Sequence, residues 1–248
     1  MTAARAVTTT PKRRGAVSRG DGQPPSAPLE LTLQAEDYLK AIYELEREGD
    51  AAGTNALADR LDIAAASVSG MLQRLARLGL VKTERYHGTR LTAAGRAVAL
   101  QLIRRHRIIE SYLVARLGFA WDDVHDEAER LEHAASPQLI EAMARVLGNP
   151  TADPHGAPIP TASGEIAERE LASLAALDVG ASARVAGVNG RDPRLLRYLG
   201  ERGIRPGVKV RIESREPFDG PIVVTVGREK QAISPGAAAH VRVEPKAP

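Results

Sequence analysis

Residues 54–91 read T-N-A-L-A-D-R-L-D-I-A-A-A-S-V-S-G-M-L-Q-R-L-A-R-L-G-L-V-K-T-E-R-Y-H-G-T-R-L, and this stretch decides the fold. Thr54 is placed to cap a short helix whose apolar positions are Leu57, Ala58 and Leu61. A tight turn through Asp62 and Ile63 follows. The next helix carries Val68, Met71, Leu72, Leu75 and Leu78 on its inner face and Ser67, Ser69, Gly70, Gln73, Arg74 and Arg77 on its outer face. Residues 78–92 then read as a β-hairpin turning near His87 and Gly88. Two helices, a short turn, small polar residues opening the second helix and a basic hairpin predict a winged helix-turn-helix. In that geometry the second helix enters the major groove and its N-terminal side chains reach base edges. Arg74, Arg77, Arg85 and Arg90 would hold phosphates, with Thr54, Ser67, Ser69, Gly70, Gln73 and His87 completing the DNA-facing set. A small three-helix domain used for protein contacts is the alternative.

Upstream, a helix over about 32–48 places Leu39, Ile42 and Tyr43 on a core face and Glu36, Asp37, Lys40 and Glu44 on the other, with Gly49 as its stop. Residues 1–30 hold almost no large apolar side chains, so a disordered basic tail is expected there. Downstream, Thr92-Ala-Ala-Gly-Arg opens a long helix to about Leu117, on which His106 and Glu110 sit one turn apart.

Residues 122–138, D-D-V-H-D-E-A-E-R-L-E-H-A-A-S-P-Q, form the next helix, with Asp122 or Asp123 as its cap. At 100° per residue, His125, Glu129, Glu132 and His133 share one face. Two imidazoles and two carboxylates on one stripe suit a divalent metal, but a solvated acidic face has the same pattern. A third helix runs from Pro137 to Leu147 with Leu139, Ile140, Met143 and Val146 inward. A Pro- and Gly-rich connector follows, in which His155 reads as part of a turn. Beyond residue 178 short alternating strands, a helix near 193–201 and Gly-rich turns predict a five-stranded SH3-like barrel.

Charge supports this division. Residues 54–105 carry nine basic and three acidic side chains, whereas 106–170 carry five basic and twelve acidic. A basic block points to an anionic partner and the acidic block to cations. The chain has no cysteine, which excludes disulfides, thiolate chemistry and Cys-based zinc sites, so a metal must be held by N and O ligands. No apolar run approaches a membrane span and the N-terminus lacks the apolar core of a secretory signal, so a cytoplasmic protein without membrane contact is expected.

The fold class is therefore mainly α with a small β domain. Its divisions are a tail (1–30), a winged helix-turn-helix (31–98), a helical metal-binding and dimerisation domain (99–148), a linker (149–177) and an SH3-like, FeoA-like domain (178–248).

The pieces E-D-Y-L-K-A-I-Y-E-L-E at 36–46, H-D-E-A-x-x-x-E-H at 125–133 and P-H-G-x-P-I-P at 154–160 together resemble the diphtheria toxin repressor family over roughly residues 31–245. The resemblance implies a non-enzymatic, metal-dependent transcriptional repressor acting as a homodimer on a pseudo-palindromic DNA operator. It implies a primary site of Asp37, Glu129, Glu132 and His133. An ancillary site of His106, Glu110 and His125 is also implied, with Asp192 as a carboxylate from the barrel, giving two ions per subunit. Iron-type members carry Met and Cys where this chain has Asp37 and Glu129, and manganese-type members carry the carboxylates. The short manganese-type members have a second carboxylate where this chain has Lys40, which argues against a binuclear site of that form. Hard oxygen donors suit Mn2+, with Fe2+ the alternative. Metal-free, the acidic face would repel itself and leave helix one free; bound metal would capture Asp37. A dinuclear carboxylate oxidase requires Glu-x-x-His pairs on two helices, whereas His106/Glu110 and His125/Glu129 are spaced by four. A winged-helix regulator with an organic effector is the remaining competitor.

Overall fold

The computed structural model describes residues 31–84, 88–167, 169–189 and 192–245. The tail expected over 1–30, and Arg85 and His87 of the wing, lie outside the described residues.

Helix α1 (Leu33–Glu48) starts where the Thr32 side chain accepts from the Ala35 amide and stops at Gly49, whose φ of 84° lies in the left-handed region. Besides Leu39, Ile42 and Tyr43 it buries Lys40, which the apolar spacing assigned to the outer face. Helix α2 (Thr54–Leu61) has Gly53 at its N-cap, so Thr54 is the first helical residue and not the cap. Asp62, at φ 53°, makes the turn into α3 (Ala65–Arg77), which buries Val68, Leu72 and Leu75. Strands β1 (Val81–Glu84) and β2 (Gly88–Leu91) pair antiparallel, Val81 opposite Leu91, and form the wing.

Helix α4 (Ala93–Leu117) spans 25 residues, about 37 Å at 1.5 Å per residue, and leads from the wing to the two helices that follow it. Its first turn passes so close to Leu80 that a Cβ on Gly95 would stand 1.9 Å from the Leu80 carbonyl oxygen. Only glycine fits there. Helix α5 (His125–Glu132) begins with Val124 at its N-cap; neither Asp122 nor Asp123 caps it, and Asp122 instead pairs with Arg197 at 2.9 Å. Helix α6 (Pro137–Val146) starts on a Ser136 cap with Pro137 in the first turn. A core of Ile108, Ile109, Leu113, Val124, Ala128, Ile140, Ala144 and Ile159 joins these helices. Leu139 and Val146, expected inward, are 47% and 53% exposed in the single chain.

The C-terminal region is a small antiparallel sheet of order β3-β8-β4-β5-β6-β7, formed by β3 (Ala172–Ser173), β4 (Ser182–Val188), β5 (Lys209–Arg215), β6 (Ile222–Val226), β7 (Glu229–Ile233) and β8 (Val241–Pro245). It exceeds the five strands expected by the two-residue β3. Helix α7 (Pro193–Glu201) follows β4, and α8 (Pro235–His240) precedes β8. Its core takes in Trp121 from the α4–α5 loop, so an indole from the helical region is built into the β domain. The 154–160 turn is wedged against β4: a Cβ on Gly156, at φ 87°, would lie 2.1 Å from the Ala186 carbonyl oxygen. Among the described residues no helix is long and apolar enough to cross a membrane.

Candidate metal centre

Side chains from α1, α4, α5 and the 152–158 turn converge in three contiguous sets whose ligand atoms lie within 4.8 Å of one another: Asp37, Glu132 and His133; His106, His125 and Glu129; and Glu110, Asp153 and His155. The i, i+4 and i, i+7 spacing on α5 turns His125, Glu129 and Glu132 toward α1 and α4, and His133 ends the helix on the same side. Asp37 reaches this face from α1.

Around His133 the hydrogen bonds fix the chemistry. Its Nδ1 donates to Glu36 at 2.8 Å, which turns Nε2 toward Asp37 Oδ1 at 3.2 Å and Glu132 Oε1 at 3.7 Å. Asp37 Oδ1 is buried and accepts no hydrogen bond. Burial raises the Asp37 carboxyl above its ordinary value against the pull of His133 and Lys40. An imidazole nitrogen 3.2 Å from a buried carboxylate oxygen that has no hydrogen bond is an arrangement a divalent cation would satisfy, so these residues fit a metal.

Glu132 is fully buried. Its Oε1 accepts from Lys40 Nζ at 2.6 Å and its Oε2 is hydrogen-bonded to His106 Nδ1. Lys40 Nζ also reaches both oxygens of Glu129, at 3.1 and 3.0 Å. Glu129 thus lies between Lys40, His106 (3.5 Å) and His125 (3.9 Å), grouped with the two imidazoles as well as beside Glu132. Burial opposes ionisation of Glu129 and Glu132, but Lys40 and His106 outweigh it and hold both below the ordinary carboxylate value.

His106 is the hub. Its Nε2 lies 3.0 Å from Glu110 Oε1 and 3.0 Å from His125 Nδ1, and the two rings meet edge-on. Burial disfavours the imidazolium, yet hydrogen bonds to Glu110 and Glu132 carry His106 up to about 9. Burial likewise pushes Glu110 up, and hydrogen bonds from His106, His125 and His155 hold it well below its ordinary value.

The third set was not expected from the connector's composition. His155 Nε2 donates to the Trp121 carbonyl at 2.6 Å and its Nδ1 faces Glu110 Oε2 at 3.8 Å. Asp153 accepts from the His155 and Ala157 amides and lies 3.5 Å from Arg107. Burial and Glu110 together raise Asp153. The signal available in the sequence was the D-x-H pair inside the turn, masked by its Pro- and Gly-rich surroundings. Asp192 is not brought to any of these sets. It caps α7 and pairs with Arg194 at 3.0 Å, an exposed local arrangement that uses both its oxygens. Lys40 and Glu36, read from the sequence as outer-face charges, belong to the centre.

Of the residues expected to face DNA, Ser67, Ser69, Gly70, Gln73, Arg74 and Arg77 are all exposed along α3, and a Cβ on Gly70 would meet nothing within 4 Å. Thr54 opens α2, half-buried, and Arg90 is exposed on β2.

Comparison with known proteins follows the same division. Residues 30–89 match the family model "Iron dependent repressor, N-terminal DNA binding domain", 92–161 match "Iron dependent repressor, metal binding and dimerisation domain", and 172–245 match the FeoA domain. The chain is 34% identical to the iron-dependent repressor IdeR of Mycobacterium tuberculosis over 229 residues, covering 87% of this chain and 98% of that one. It is 34% identical to the diphtheria toxin repressor of Corynebacterium efficiens over 225 residues, covering 87% and 96%. Among solved structures, a manganese-dependent transcriptional repressor in complex with manganese superposes with a TM-score of 0.80 at 37% identity, covering 86% of this chain and 100% of that one. IdeR of T. acidophilum gives 0.71 at 27% identity, covering 85% and 97%. With a DNA-binding region, a helical metal-binding region and a FeoA region matched in that order, this chain belongs to the iron- and manganese-dependent transcriptional repressors, a family of DNA-binding regulators and not of enzymes.

Proposed function

We propose that this protein is a Mn2+-activated transcriptional repressor that binds a pseudo-palindromic operator as a homodimer in the cytoplasm. The observation that carries the metal-switch reading is the convergence of Asp37, from the DNA-binding region, with Glu132 and His133 of α5, Asp37 Oδ1 being buried without a hydrogen bond.

Asp37, Glu129, Glu132 and His133 are assigned to the primary site. Glu110, Asp153 and His155, with His106 and His125 beside them, offer a second, which gives two ions per subunit. Bound metal supplies the positive charge that lets the buried Asp37 and Glu132 oxygens sit together. Asp37 then fixes α1 against α5, and α1 fixes the attitude of α3. In a dimer the two α3 helices must meet successive major-groove faces about 34 Å apart, or a multiple of it. Leu139 and Val146, uncovered on α6, are offered as part of the dimer surface.

The donor set favours Mn2+: oxygen and imidazole ligands without sulfur suit a hard ion at the weak end of the Irving–Williams order. Fe2+ is the second reading, favoured by the iron-dependent names of the sequence relatives. Operator retardation in gels, titrated with Mn2+, anaerobic Fe2+, Co2+ and Zn2+ against a chelator control, tests both. Activation by Fe2+ at a lower free concentration than Mn2+ would overturn the manganese reading, and retardation indifferent to chelator would overturn the metal switch.

A further inference from the structure

The hairpin between β5 and β6 ends in a turn that its own residues do not favour. The Gly220 amide donates to the Pro217 carbonyl at 3.2 Å, and the two residues between them, Phe218 and Asp219, hold positive φ of 57° and 56°. Two positive φ values in a row are the type I′ hairpin turn, which suits Asn and Gly and penalises a bulky aromatic. Phe218 receives no burial in return: it is 99% exposed, against at most 60% for any other large apolar side chain described. Glu216 and Asp219 beside it are exposed too, while Arg215 is turned back to donate to the Ala175 and Leu177 carbonyls. The tip is a phenyl ring between two carboxylates.

A surface of the opposite character lies on the same sheet. Arg184 stands opposite Lys209, Ser182 opposite Arg211 and Arg211 opposite Thr225, so the three cations share the outward face. They line a hollow of about 680 Å3 with Val208, Thr225 and Glu244. Glu244 is engaged by Arg169, and Glu213 reaches Arg211 at 3.5 Å, so the hollow keeps a net positive charge. The tip cannot enter the hollow of its own chain. The hollow sits at the Lys209 end of β5 and the tip follows the Arg215 end, about 20 Å away along a seven-residue strand.

We propose that the Phe218 tip of one copy of this chain docks in the Arg184–Lys209–Arg211 hollow of another. Each copy then contributes a tip to one neighbour and a hollow to the next, a head-to-tail contact able to extend from copy to copy. The phenyl ring gains the burial that it lacks in the single chain, and Glu216 and Asp219 meet cations. The contact does not depend on which ion the chain binds.

The test uses the full-length chain in EDTA. In sedimentation equilibrium at rising concentration, the wild type should pass reversibly into species larger than F218G forms, and added salt should weaken them. Glycine accepts a positive φ, so F218G should melt no lower than the wild type. Its association should nevertheless weaken about tenfold or more, as expected for the loss of one buried phenyl ring. The double variant R184E/R211E should lose association to a similar degree. Mixing the two variants should restore it, because F218G still offers the hollow and R184E/R211E still offers the tip. A wild type no larger than F218G at every concentration overturns the proposal and leaves the tip to a different partner. A mixture that stays as small as its components overturns the pairing of tip with hollow.

Discussion

Glu36 Oε2 accepts a 2.8 Å hydrogen bond from His133 Nδ1, and so decides which nitrogen of that imidazole is left to face Asp37. Partners of this kind orient a ligand and raise its basicity, and their loss costs about 10–100-fold in metal affinity. Glu36→Ala should therefore weaken Mn2+ binding by about that factor without touching a ligand. Calorimetric titration of the variant checks this. Wild-type affinity would show that the ring is held in place by something other than Glu36.

Asp37→Ala removes the carboxylate that α1 contributes while leaving the Lys40–Glu129/Glu132 bridge in place. The variant should remain folded and dimeric by sedimentation and lose metal-activated operator binding in gel retardation. By linkage, operator DNA should tighten Mn2+ binding to the wild type by the factor that Mn2+ tightens operator binding, and the variant should lose both effects together. Retained activation would separate Asp37 from the switch.

Much of this was legible in the sequence for a definite reason. The winged helix-turn-helix and the α5 stripe are set by local periodicity, and periodicity survives in a single sequence: Val68, Leu72 and Leu75 are buried on α3, and His125, Glu129 and Glu132 share a face. Lys40 was misplaced because a lysine on a charged stripe looks solvated until the partner helix is known; its burial is decided by Glu129 and Glu132, about ninety residues away. His155 was obscured for the same reason: a turn residue becomes a candidate ligand only when α4 brings Glu110 to it. Asp192 failed in the opposite sense, because a carboxylate at a helix start is readily used by its own backbone and by Arg194.

The hydrogen-bond hub at His106 predicts a two-sided stability profile for the metal-free protein. Glu110 from α4, Glu132, Glu129 and His125 from α5 and Lys40 from α1 all surround the ring. Its pKa is raised from 6.5 to about 9, so its contribution is complete below 6.5 and disappears as pH rises through about 9. Glu110 and Glu132 are lowered from 4.5, so theirs is present above 4.5 and disappears as pH falls through their depressed values. Thermal melts in EDTA should give the highest Tm between these limits, and His106→Gln should remove the decline on the alkaline side. A decline that persists in that variant would assign it to another group.

Gly95 ties the wing to α4. With its would-be Cβ 1.9 Å from the Leu80 carbonyl oxygen, Gly95→Ala must push α4 away from β1. The backbone, not a flexible side chain, is the obstacle, so the cost should fall near the upper end for overpacking, about 3 kcal/mol. A thermal unfolding experiment reads this directly. A Tm within a degree or so of wild type would mean that α4 can shift along the wing without penalty.

Trp121, the chain's single tryptophan, provides a reporter for the second candidate site. Its ring stacks on His155 with centroids 5.7 Å apart and planes at 28°, and the Arg205 guanidinium lies 4.8 Å from its centroid on the β-domain side. The His155 Nε2–Trp121 carbonyl bond keeps Nδ1 turned toward Glu110, so an ion held by Glu110, Asp153 and His155 must change the electrostatic surroundings of the indole. Mn2+ titration should therefore shift or quench the Trp121 emission of the wild type. The change should survive Asp37→Ala, which disables the primary centre, and vanish in Asp153→Asn, which removes a charged ligand from the set beside the indole. The reverse pattern would place the responding ion at Asp37 and leave the 152–158 turn with a purely structural role: joining α4 to β4 through Gly156 and Trp121.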